Sequence, residues 1–240
     1  MLSSGYLIIA VVDFAVLLWA LKLWKHAPSM ALYLATVPLF LMWYDNLTIS
    51  AGYLLGEGSL LKGMNSVRFL AHYICLPITF IAIGSMARQA GFRWAQPKIV
   101  MGAFCVLATY FIAHDLWRFS QATFYPSCFA DTLRYTTHIS ESTACGPDAD
   151  IGAGFRMLPI PAITLSNMLI VFGIYLWWKI GYRWLFLGSL AATAFFMVPY
   201  SSTGGIVGNL GEPLISIVIL TTAVHITRVV EPKERVGAVT

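Results

Sequence analysis

Seven times along the chain a run of about twenty mostly apolar residues recurs, at about 5–24, 29–54, 65–86, 98–117, 157–178, 184–203 and 206–228. An α-helix crosses the roughly 30 Å of bilayer hydrocarbon in about 20 residues, and hydrocarbon gives a backbone no partner outside its own helix. That pattern leaves few folds open. The expectation is an all-α, polytopic, multi-pass integral membrane protein in which residues 1–240 form one domain of seven transmembrane helices. Composition agrees, because 58% of the residues are hydrophobic and only 11% charged, whereas soluble domains carry about 25% charged residues. The formal net charge of +4 does not point to nucleic acid. Its basic residues lie mainly in short connections beside apolar runs, where they orient helices in a membrane. Membrane lipid is the expected surrounding, no nucleic-acid partner is expected, and the sequence identifies no protein partner.

The first apolar run, 6–21, has no basic residue before it and is followed by Lys22, Lys25 and His26. A secretory signal has its positive region first, so this run reads as a retained helix. Seven spans divide the connections into two sets. One holds Lys22, Lys25, Arg88, Arg93, Lys98, Lys179, Arg183, Arg228, Lys233 and Arg235, and the other Lys62, Arg68, Arg118, Arg134 and Arg156. The richer set is expected on the cytoplasmic side, which puts the amino terminus outside and the carboxyl terminus in the cytoplasm. Residues 229–240 then form a short cytoplasmic tail, and residues 118–156 a long extracytoplasmic loop. Trp and Tyr in "YLWWKIGYRW" (175–184) fit a headgroup boundary.

The long loop contains Cys128 and Cys145, while Cys75 and Cys105 fall within spans. In an oxidising compartment a Cys128–Cys145 disulfide is expected, closing a loop of a size worth about 3 kcal/mol in the chain-entropy account. Thiol redox catalysis would call for a close C-x-x-C pair, and none is present.

At 1.5 Å per residue each polar group inside a span acquires a depth. Asp45 falls about 24 Å from the inner end of its span, in its outer half, with Tyr44 and Asn46 beside it. Arg68 and His72, four residues apart and so on one helix face, fall in the outer half of span three. "AHDLWRF" places His114, Asp115 and Arg118 in the last turns of span four, and "GNLGEPL" places Asn209 and Glu212 in the first turns of span seven. Ionisable residues inside a membrane usually face the bundle interior and pair with one another. An outward-opening polar cavity follows, and Asp13 of span one either joins it or faces water separately.

Every member also has a structural alternative. Asp45 and Arg68 can be an ion pair joining two helices, Arg68 and Arg118 can anchor helix ends, and His72 and His114 can be satisfied bundle histidines. Glu212 before Pro213 suits the start of a helix. Together these would make a salt-bridge layer. The glycines of "TGGIVGNLGEP" suit close helix packing, and the G-x-G at 56–58 follows a span instead of a strand.

Three functions fit. The first is a membrane-embedded enzyme acting on a lipid or isoprenoid by acid–base chemistry. Its catalytic groups would be Asp45, His72, Asp115 and Glu212, and its substrate-binding groups Tyr44, Asn46, Arg68, His114, Arg118 and Asn209. The second is a transporter or channel with an outward-facing cavity, and the third a non-catalytic subunit or binding protein. With no H-E-x-x-H or H-x-x-x-H signature, no metal ligands are assigned, and the sequence identifies no cofactor. Retinal binding would want a lysine within span seven, and 206–228 has none. Length, span number and scattered acidic residues are broadly similar to the small membrane-integral terpene cyclases, an architectural likeness that assigns no residue a role.

Overall fold

Residues 2–129, 131–156, 159–199, 203 and 205–230 are described by a computed structural model. Seven α-helices account for most of them: α1 (Leu2–His26), α2 (Met30–Leu55), α3 (Ser59–Gln89), α4 (Lys98–Ser120), α5 (Ile160–Ile180), α6 (Trp184–Phe196) and α7 (Ile206–His225). Five of them, α1, α3, α4, α5 and α7, are long and apolar enough to cross a membrane. Helix α2 has 26 residues, but Asp45 and Asn46 interrupt its apolar run. Helix α6 has 13 residues, about 20 Å of rise, which falls short of the hydrocarbon thickness. Residues 200–202, in the second half of the sixth expected span, and residue 204 after it lie outside the described residues, as does the expected tail beyond residue 230.

Local chemistry sets the helix ends. The Ser29 hydroxyl accepts a hydrogen bond from the Leu32 N–H at 3.2 Å, capping α2. Gly181 takes up φ 74°, and its N–H closes the last turn of α5 onto the Trp177 carbonyl. Pro213, which the sequence suggested for a helix start, is interior to α7. A proline there cannot donate to the carbonyl four residues back, so the Asn209 carbonyl loses its helical partner. Pro77 does the same to Tyr73 in α3.

Helices α2, α3, α5, α6 and α7 pack in a ring, with α1 lying on α2 and α7 and α4 lying on α3. Their common core includes Leu32, Leu39, Phe80, Met86, Leu176 and Leu185, all fully buried. The outside is apolar too. Along α4, Ile99, Val106 and Tyr110 are 82%, 69% and 61% exposed, a surface suited to hydrocarbon and too continuous for water.

The 118–156 connection, to which the sequence assigned no regular structure, carries an antiparallel hairpin of β1 (Tyr125–Phe129) and β2 (Thr132–Thr136). Cys128 and Cys145 form the expected disulfide. The hairpin lies directly on the bundle: a Cβ at Gly52 of α2 would stand 1.7 Å from the Leu133 carbonyl oxygen. Only glycine permits that approach. Leu133 and Tyr135 join Leu61 and Phe124 in a small second core, and the Gly58 N–H donates to the Tyr135 hydroxyl at 3.2 Å.

Candidate functional site

Asn46 is the hub of the polar residues. Its Nδ2 lies 2.7 Å from Glu212 Oε2, 3.0 Å from Asp13 Oδ2 and 3.0 Å from its own helix carbonyl at Met42. Its Oδ1 accepts from Asn209 Nδ2 at 2.9 Å. One amide thus ties α1, α2 and α7 together. Its two N–H hydrogens face three acceptors. Asp13, fully buried, therefore belongs to the cluster, the first of the two placements open from the sequence.

Asp45, one residue back along α2, turns toward α3. Its Oδ1 is 3.4 Å from Arg68 Nη1 and 3.8 Å from His72 Nδ1, and Asn209 Nδ2 lies 3.4 Å from its Oδ2. The ion pair with Arg68 that depth suggested is present, and both side chains are under a tenth exposed. His72 Nδ1 lies 3.0 Å from the Arg68 carbonyl. A carbonyl only accepts, so Nδ1 carries the hydrogen and Nε2 is the acceptor.

These groups form one wall of a cavity of about 290 Å³, to which Asp115 of α4 and Arg134 of the hairpin also contribute. The rest of the lining is largely apolar, from Phe69 and Leu76 of α3 to Pro161 and Ala162 of α5. Tyr73 lines it as well, with a buried hydroxyl that has no hydrogen-bond partner among the described residues, and Arg68 Nε is buried in the same condition. A buried donor without a partner is costly and marks a place where a ligand can supply one.

Of the ten residues singled out in the sequence, Asp45, Arg68, His72, Asp115, Asn209 and Glu212 line this cavity, and Asn46 lies directly behind it as the hub. The remaining three sit elsewhere. Tyr44 donates to the Met64 carbonyl at 3.1 Å, bracing α2 against α3. His114 Nδ1 bonds Asp115 Oδ1 at 2.9 Å and so orients a cavity carboxylate from behind. Arg118 donates to the Arg156 carbonyl at 3.3 Å and lies over the Phe155 ring. The sequence reading did not assign Tyr73 or Arg134 to the site. Arg134 reaches it only because the hairpin seats on Gly52, and no helical spacing announces that.

Asp45, His72 and Glu212 bring ligand atoms within 4.8 Å of one another, a spacing able to hold a cation. Arg68 already stands against Asp45 and the His72 Nδ1 hydrogen points to a carbonyl, so the cation built into this cluster is a guanidinium. The fold and the cluster together define the class of the protein. It is a helical protein with five membrane-length apolar helices and a cavity lined by both acidic and basic side chains. No protein-family model matches the chain, and no curated protein matches it.

Proposed function

We propose that the chain is a multi-pass membrane enzyme that performs acid–base chemistry on an amphipathic lipid or isoprenoid. All seven helices embed in the bilayer, and the hairpin end faces outward, as the basic residues suggest. The observation that carries the reading is the mixed lining of the cavity, in which carboxyl groups, one imidazole and two guanidinium groups share one space with apolar side chains. A molecule with a polar end and a hydrocarbon body satisfies both kinds of lining. Asp45, Asp115 and Glu212 supply the acid or base, His72 Nε2 receives or passes a proton, and Arg68 and Asn209 hold the polar end. Tyr73 and Arg134 complete that grip, while Asn46 and His114 act as positioning residues. Toward the other end, α2 presents Leu39 and Met42 and α3 presents Phe80 and Ile83, all buried. A transport route would need polar groups to continue there.

The test compares lipid extracts of one host expressing wild type, Asp45→Asn or Glu212→Gln, each verified as folded, by mass spectrometry. A lipid or isoprenoid species is expected with wild type and lost with both variants. Identical extracts from all three, together with wild-type-dependent ion or solute flux in liposomes, would establish the transporter instead.

A further inference from the structure

Two cavities lie in line between α4 and α5, with α3 as the floor of both. The first is the chamber, which reaches Leu76 of α3, Asp115 of α4 and Ala162 of α5. The second, of about 350 Å³, is bounded by Ile83 of α3, Phe104 of α4, and Met168 and Phe172 of α5. Among the described residues α4 packs on α3 and builds no extensive seam with α5, which is why both hollows open along this line.

Each helix puts one large side chain between the two hollows. Phe80 sits one turn from both Leu76 and Ile83, Phe111 one turn from Asp115, and Leu165 one turn from both Ala162 and Met168. Phe80, Phe111 and Leu165 are 0%, 7% and 6% exposed. The two phenylalanine rings stack, with centroids 5.5 Å apart and planes 23° apart. By register, these three buried side chains lie between the end of the chamber at Leu76 and Ala162 and the second, mainly apolar hollow, without lining either one.

We infer that Phe80, Phe111 and Leu165 set the length of hydrocarbon chain the chamber accepts, and that the second hollow receives the end of a longer chain once this three-residue plug is trimmed. This rests on the reading that the chamber binds a lipid or isoprenoid. Three features commit the hollow to that occupant. It shares its floor helix with the chamber, it shares both walls, and its lining is mainly apolar, with polar atoms only on Asn167, Tyr175 and Trp94 among its lining residues. Those three buried side chains, with Thr79 at the same level of α3, part the chain end from mainly apolar space.

The experiment uses the full chain in lipid nanodiscs and a graded series of linear prenyl alcohols, from one isoprene unit upward, and reads ligand-induced thermal stabilisation at fixed concentration. Wild type is expected to gain stabilisation up to a limiting length and to lose it beyond. Leu165→Ala and Phe111→Ala should move the limit longer by at least one isoprene unit. Phe80→Leu, a milder change that keeps the core filled, should move it in the same direction. Met168→Trp, which fills the second hollow, should leave the wild-type limit unchanged and cancel the gain of Phe111→Ala. An unmoved limit in folded Leu165→Ala and Phe80→Leu would overturn the plug while leaving the proposed function intact. A shift caused by Met168→Trp alone would also overturn it, because the chain would then already reach the second hollow. If no length stabilises wild type, the isoprenoid reading of the chamber fails first, and the inference fails with it.

Discussion

Helix α2 has two kinds of interior. Through its first half its buried residues are Ala31, Leu32, Ala35, Thr36, Pro38, Leu39, Leu41 and Met42, with the Thr36 hydroxyl bonded to the Leu32 carbonyl of the same helix, while Asp45, Asn46 and Thr48 follow. In hydrocarbon the first kind gains little from excluding water, since lipid tails are as apolar as leucine, and it holds by close packing. The second kind holds by directed bonds and is expensive wherever a bond is missing. The mainly apolar half shows that these helices pack with few polar groups and no buried charge. A cluster that ties three helices through one amide and leaves Asp13 Oδ1, Arg68 Nε and Tyr73 Oη without partners among the described residues is therefore a costly way to hold helices together. Such sites are where function overrides local stability.

The contrast breaks most directly at Asn46. Asn46→Leu strips the shared donor from Asp13 and Glu212 and the acceptor from Asn209, and should cost about 3 kcal/mol, the upper end for leaving buried polar groups unpaired. Thermal unfolding in detergent checks this, and a loss under about 1 kcal/mol would show that the network bears little of the fold. Cys128→Ser should cost about 3 kcal/mol by the loop-entropy account. The loss should be confined to the cap, read as faster proteolysis of residues 125–145 with the helices still protected. Leu39→Ala, at the apolar end, should cost about 2 kcal/mol, the low end for a core cavity because lipid solvates the unpacked helix as well. Tyr135→Phe removes the bond from the Gly58 N–H and should cost about 1 kcal/mol, visible as faster hydrogen exchange at Gly58.

Depth along a helix was legible in the sequence, and rotation about it much less so. The rise per residue placed Asp45, Arg68, His72, Asp115, Asn209 and Glu212 at one level, and all six line the cavity. Tyr44 and Arg118 share that level but turn to the Met64 and Arg156 carbonyls, because rotation depends on which helix packs beside which. Arg68 and His72 escaped this ambiguity, since four-residue spacing fixes a shared face without knowledge of neighbours. Asp13 stayed ambiguous until Asn46 was seen to face it. Arg134 was beyond reach, because its place depends on a strand lying against Gly52 in a distant helix. Hydropathy also ran past the end of α6, which stops at Phe196 before Pro199 while the apolar run carries on.

The central claim is that the polar end does chemistry and the apolar end only holds the bundle. Product formed per folded molecule in Asp45→Asn and Leu39→Ala, each normalised to its own folded fraction, tests it most directly. The account predicts no detectable product from Asp45→Asn at near-wild-type folding, and a wild-type amount per folded molecule from the less stable Leu39→Ala. Wild-type product from folded Asp45→Asn, or equal loss in both variants, would contradict it.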